Sequence, residues 1–177
     1  SPFPPSVSQA VFRALVAGIS ATGVLAAANG AHLTAVDVGI DGDVSDLAGP
    51  SVRHAKVERG TADFRSAAAM DEAAYERALA AGRAALAAEV EERGARVVGI
   101  GEVGIGNTTA AACCLAMLLD GMGMPCDDPG DCVGRGTGVD DDGMEAKRSA
   151  VREACSFHRE AIEAEATAVG AAAASST

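Results

Sequence analysis

No apolar run in this 177-residue chain reaches the length needed to span a bilayer, because Gly, Arg or Asp interrupts each one. The amino end, SPFPPSVSQ, lacks a basic segment followed by an apolar core, so no secretory signal is expected there. Positive charge is scarce: 14 Lys and Arg stand against 25 Asp and Glu, a net charge of −11. Nucleic acid and anionic membranes are polyanions and are not expected as partners. A small anionic ligand stays admissible, because backbone amides and one or two local cations suffice to hold a phosphate. No CxxC occurs among Cys113, Cys114, Cys126, Cys132 and Cys155, and no His stands at metal-ligand spacing from them. A zinc site is therefore not expected. The odd cysteine count and the chain length predict reduced, intracellular thiols, and hence a cytoplasmic protein. Cys126 and Cys132 flank the acidic loop DDPGD. They read either as loop and core thiols or as a pair that closes under oxidising conditions.

Apolar residues make up 49% of the chain and charged residues 22%, which is a globular composition with enough chain for one domain. Ser6 or Ser8 is expected to cap a helix running to about residue 28, with Val11, Phe12, Leu15, Val16 and Ile19 on its apolar face. Asn29 and Gly30 form its stop. LTAVDVGI, 33–40, reads as a buried strand, and the stretch 52–64 pairs weakly or wraps as loop. Asp71 caps a helix over 72–93 that Gly94 ends. VVGIGEV, 97–103, reads as a second buried strand, followed by a helix over 108–120. Residues 121–143 are too rich in glycine for a regular element. A last helix runs from about 144 to 169. This order predicts an α/β fold: a three-layer, Rossmann-like parallel sheet with long flanking helices. One domain is expected over 1–170, with a frayed low-complexity tail over 171–177.

Ligands of open α/β sheets collect beyond the carboxyl ends of strands. Two acidic, glycine-rich stretches fall at such ends, DVGIDGD and GEVGIGNTT. The second is no Walker A loop, since no GK[ST] follows, and it does not fit GxGxxG. Gly104 and Gly106 let the backbone turn sharply or come close to a ligand. The amides of Asn107, Thr108 and Thr109 open a helix, which makes an anion site unless Asn107 or Thr108 is an ordinary N-cap. Glu102 at a buried strand end carries a desolvation cost. Two roles stand open for it: a base, or an acceptor for nearby backbone amides. VGRGTGVDDDG, 133–143, is a second glycine loop leading into a helix, with Arg135 and Lys147 beside it. Lys147, one turn into that helix, either reaches back toward an anion or stays solvated. His32, His54 and His158 are isolated and read as surface or packing residues.

VDVGIDGD (36–43), RGTADF (59–64) with AAAM (67–70), GEVGIGNTTAAA (101–112) and VGRGTGVDDDG with Lys147 occur in one order. Together they resemble the nicotinate-nucleotide–dimethylbenzimidazole phosphoribosyltransferase family of the cobalamin lower-ligand pathway. SPFPPSVSQ resembles the family's segment before its first long helix here. The resemblance covers about the middle half of the usual family protein. The sequence departs from it at RSAAAM, at the Cys126–Cys132 loop and after about residue 162. It implies transfer of phosphoribosyl from nicotinate mononucleotide to 5,6-dimethylbenzimidazole, with no cofactor and no metal. A pyridinium leaves as nicotinate, and an aromatic nitrogen attacks the anomeric carbon. By resemblance, Glu102 lies at the ribosyl site and is the catalytic candidate. Gly104, Asn107 and Thr108 lie beside the ribose and phosphate. Gly134, Gly136 and Lys147 contact the phosphate, and Ser1 and Gln9 line the benzimidazole pocket. The resemblance also implies a homodimer.

Overall fold

The break in the first helical stretch is where the chain first departs from its sequence pattern. In a computed structural model describing residues 3–136 and 138–174, with side chains described up to Ile162, that stretch forms two helices. Helix α1 spans Ser6–Val16 and α2 spans Ala21–Ala28. By length and composition alone, the 23-residue stretch Ser6–Ala28 is apolar enough to cross a membrane, with a mean hydropathy of 1.8 in its most apolar window, which corrects the expectation that no run is. The fold divides it at Gly18, whose φ of 72° an L side chain rarely adopts. Ser20 then caps α2 by accepting the Gly23 amide at 3.0 Å. Neither expected serine caps α1. Its N-cap is Pro5, and Ser8 instead accepts the Ile105 amide at 3.2 Å. Phe12 of the expected apolar stripe is buried and Leu15 and Val16 are half-buried, but Ile19, beyond the break, is 75% exposed.

Strand β1 spans Ala35–Asp37 and β2 spans Val52–His54. They pair in parallel, Ala35 opposite Val52 and Asp37 opposite His54. The strand expected over 33–40 is thus shorter, and the weak pairing expected for the following stretch is realised at its start. The crossover carries Val44, which is 1% exposed and packs with Phe12 and Ala35. Helix α3, Glu72–Glu91, starts where Asp71 accepts the Ala74 amide and ends before Gly94, as its sequence predicts. The stretch 97–103 is not a strand among the described residues. A strand is stabilised by its neighbours, and none pairs with this one. Val97 is 92% exposed and Ile100 98%.

Helix α4, Asn107–Gly121, begins one residue before the expected start, and α5, Asp141–Ala174, runs several residues past the expected end through an alanine-rich stretch. Between them a 3-10 turn, Pro129–Cys132, forms inside the segment expected to have no regular element. The helices pack through small side chains: Ala112, Cys113 and Ala116 meet Val151, Ala154 and Cys155, with Val133 beside them. His158 holds the backbone oxygen of Phe64 against the same core at 2.8 Å.

The chain packs as two units. One comprises Phe3–Ala62 and Met70–Ile105; the other includes Asp63–Ala69 and the chain from Gly106 onward. The observed class is mixed: five helices among the described residues and a small parallel sheet, an α/β arrangement.

Candidate functional site

Within the second unit, Gly106 turns the chain into α4 with a φ of 90°, a value that calls for glycine. It takes the N-cap position itself, so neither Asn107 nor Thr108 is the cap. The expected row of outward, unpaired amides is only partly there. Thr109 donates its amide to the Gly106 oxygen at 3.0 Å, and Thr108 donates to the Asn107 side-chain oxygen at 2.7 Å. The first-turn donors have been taken up locally, as short polar side chains at helix starts tend to do.

The cation is in place. Lys147 sits in the second turn of α5, which starts three residues earlier than expected, and its stem carries the ammonium back over the glycine loop. Nζ donates to the Gly134 oxygen at 2.9 Å, to Thr108 Oγ1 at 3.1 Å and to the Arg135 oxygen at 3.4 Å. The solvated-lysine alternative is excluded, because the residue is only 8% exposed. Gly136 closes the cradle. Its φ is 63°, and a Cβ there would come within 3.2 Å of both Lys147 Nζ and Thr108 Oγ1. Thr108, Gly134, Gly136 and Lys147 are therefore brought together, from three places in the chain, around one ammonium.

Arg135 does not join them. Its guanidinium donates to the Val139 oxygen at 2.9 Å and to Asp141 at 2.5 Å, which holds the Asp141 carboxyl below its usual range. Asp141 opens α5, where a carboxylate also favours the helix dipole.

In the first unit, Gln9 lies over the DVGIDGD loop. Its Nε2 donates to the Asp41 oxygen at 3.3 Å, and a Cβ on Gly42 would overlap the amide. Ser8, next in the chain, receives the Ile105 amide and so ties α1 to the end of GEVGI. Glu102 is exposed rather than buried, so the desolvation cost expected for it is not incurred. Its Oε1 stands 3.2 Å from where a Gly104 Cβ would be. Ser1 lies outside the described residues.

Sequence reasoning missed the buried carboxylate of this unit. Asp37, 1% exposed, accepts the Gly39 and Ile40 amides at 3.1 and 2.9 Å and meets Lys56 Nζ at 3.0 Å. Lys56 also donates to the Ile40 and Gly42 oxygens. The signal was available: an aspartate inside the apolar run AVDVG, two residues before a glycine, is set for an Asx turn. Lys56 and Lys147, the chain's only lysines, thus each bind backbone oxygens of a glycine-rich loop.

Among the described residues no group of three or more His, Cys, Asp or Glu is placed to hold a metal ion. A cleft of roughly 200 Å³ lies elsewhere, lined by Leu15, Val16, Gly23, Ala27, His32 and Ser51 among others; its lining holds none of the candidate residues.

Comparison with known proteins shows the family. A profile of the family described as Phosphoribosyltransferase (DBI_PRT) matches residues 1–176. The nicotinate-nucleotide–dimethylbenzimidazole phosphoribosyltransferase of Chromobacterium violaceum is 44% identical over 154 residues, covering 87% of this chain and 42% of the relative. The enzyme of that name from Thermus thermophilus is 39% identical, over 87% of this chain and 43% of its own. The crystal structure of CobT from Thermus thermophilus superposes with a TM-score of 0.74 at 36% identity, covering 88% of this chain and 44% of that one. The chain spans under half the length of the curated relatives it matches.

Proposed function

The chain belongs to the nicotinate-nucleotide–dimethylbenzimidazole phosphoribosyltransferase family, and from that premise we propose that it serves the transfer of phosphoribosyl from nicotinate mononucleotide to 5,6-dimethylbenzimidazole. The products are nicotinate and α-ribazole 5′-phosphate, a step in assembling the nucleotide loop of cobalamin. The observation that carries this reading is the Lys147 cradle. A buried ammonium beside a glycine turn and a threonine hydroxyl supports the binding of a phosphate monoester. The phosphate takes over the longest of the three ammonium contacts, the one at 3.4 Å to Arg135. Gly134, Gly136 and Thr108 frame it, and Asn107 and Gly104 lie along the ribose. The family resemblance assigns to Glu102 the carboxylate that steadies positive charge developing at the anomeric carbon. The family resemblance assigns Gln9, and Ser1 outside the described residues, to the benzimidazole. Positioning and charge suffice for this displacement, with no cofactor and no metal.

Residues 1–170 act in this reading as one phosphoribosyltransferase-type domain, cytoplasmic and homodimeric. The finer architecture belongs to the same proposal: a three-layer, Rossmann-like parallel sheet with long flanking helices.

Calorimetry with nicotinate mononucleotide tests the cradle. Lys147→Met keeps the stem and removes the charge, and is expected to weaken binding at least about tenfold, or ~1.4 kcal/mol. Equal affinity in a variant with wild-type circular dichroism removes Lys147 from the site. A second reading is favoured by the share of the relatives' length that the chain spans: a nucleotide-binding fragment without turnover. Nicotinate release, followed with and without dimethylbenzimidazole, separates the two. Binding without release supports the fragment, and release that depends on the azole supports the enzyme.

A further inference from the structure

Cys126 and Cys132 approach to 3.3 Å between sulfurs. Their approach is built by the turn between them. Asp128 accepts the Gly130 amide at 2.8 Å, and Asp131 donates its amide to the Asp128 oxygen at 3.0 Å. Arg152 of α5 grips the Asp128 carboxylate from outside at 2.7 to 3.1 Å. The turn is thus fixed by bonds that do not involve sulfur, and both thiols, at its two ends, are half-buried and reachable from solvent.

The other cysteines differ. Cys113 and Cys155 stand 3.8 Å apart in the α4–α5 core, 6% and 1% exposed. Burial pushes the Cys113 thiol up to about 12, so it neither ionises nor meets a reagent. Cys114 is exposed, and the sulfur–sulfur approaches found among the described residues, Cys113–Cys155 and Cys126–Cys132, do not include it. Among the described residues, paired geometry and access coincide at the 126–132 loop.

We propose that Cys126 and Cys132 form a thiol–disulfide modification site, closed by exchange with a low-molecular-weight disulfide such as glutathione disulfide. The Cys132 thiol is held protonated up to about 11, first by its hydrogen bond to Cys126 and then by burial. Cys132 packs against the α4–α5 core and Cys126 is not part of that cluster, so Cys126 is the sulfur that attacks. Its thiolate bonds to one sulfur of the incoming disulfide; that disulfide's S–S bond breaks, and the first thiolate leaves with the electron pair and takes up a proton. Cys132 then gives up its proton and attacks the Cys126 sulfur, expelling the second thiolate. Two protein thiols and one disulfide become one protein disulfide and two small thiols. Closing from 3.3 Å to the ~2.05 Å of a bond needs little more than 1 Å of movement in a loop of seven residues. Formation of this bond does not depend on the proposed phosphate site.

The test incubates the reduced chain with glutathione disulfide, quenches with acid, alkylates and maps peptides by mass spectrometry. The wild type is expected to lose two hydrogens in mass, with Cys126 and Cys132 protected together and Cys114 still alkylated. The pair should close at a glutathione disulfide concentration at least about tenfold below that which modifies Cys114. Cys132→Ser should accumulate a glutathione adduct on Cys126. Cys126→Ser should accumulate far less, with wild-type circular dichroism checked for both. A stable adduct on wild-type Cys126 without closure overturns the proposal, as does a Cys113–Cys155 bond forming first. Equal adducts on the two variants overturn the assignment of the attacking sulfur.

Discussion

Lys147 gives its ammonium protons to one hydroxyl and two backbone oxygens, and those acceptors come from the start of α4 and from the glycine loop before α5. Removing one residue's worth of space would spoil that arrangement. Gly136→Ala places a methyl 3.2 Å from Nζ at a φ of 63°, so it is both crowded and strained. The expected cost is about 1 kcal/mol or more in urea unfolding, together with weaker nicotinate mononucleotide binding. Unchanged stability and affinity would mean that the turn is not held as described. Lysine, glycine and threonine were all legible as candidates in VGRGTG and GNTT. What they could not reveal was that Asn107 and Gly106 satisfy the neighbouring amides, because that depends on side-chain rotamers and on where α4 starts. Glu102 shows the converse: its burial was expected from a strand, and without the strand it is exposed.

Helices were read well where the signal is local. Asp71 and Gly94 bracket α3, since a cap needs only a side chain and an amide three residues on. The 3-10 turn at Pro129–Cys132 was missed, because it is held from another element by Arg152. That pairing has a pH signature. Arg152 first, and the Gly130 amide second, hold the Asp128 carboxyl down to about 2 from an ordinary 3.8. A carboxyl lowered on folding contributes stability above its ordinary value and loses it as pH falls through the folded one. The turn is therefore expected to loosen between about pH 4 and pH 2. The amide resonance of Gly130 should titrate with a midpoint near 2 and become pH-independent in that range in Asp128→Asn. A midpoint near 3.8 would show that Arg152 is not engaged in solution.

At the scale of the whole molecule, apolar surface is the dominant feature. Val97, Ile100, Ile19, Leu118 and Met122 are all more than 60% exposed, although the chain carries a net charge of −11. Contiguous branched residues without strand partners favour self-association. Concentration-dependent light scattering is expected for the wild type and should fall in the double variant Val97→Asp, Ile100→Asp. Equal scattering would place the adhesive surface elsewhere. Several features follow from the order of residues alone: the Asp71 cap and Gly94 stop of α3, the glycine turns, the reach of Lys147 from its place in α5, and the family to which the chain belongs. Each rests on neighbours a few residues away or on a motif read in line. Only the tertiary structure decided that the first helix breaks at Gly18, that β1 pairs with β2, that 97–103 stays unpaired and that two thiols meet at 3.3 Å. Strand pairing, burial and sulfur proximity depend on which distant segments pack together, and that is set by packing across the fold rather than by local preference.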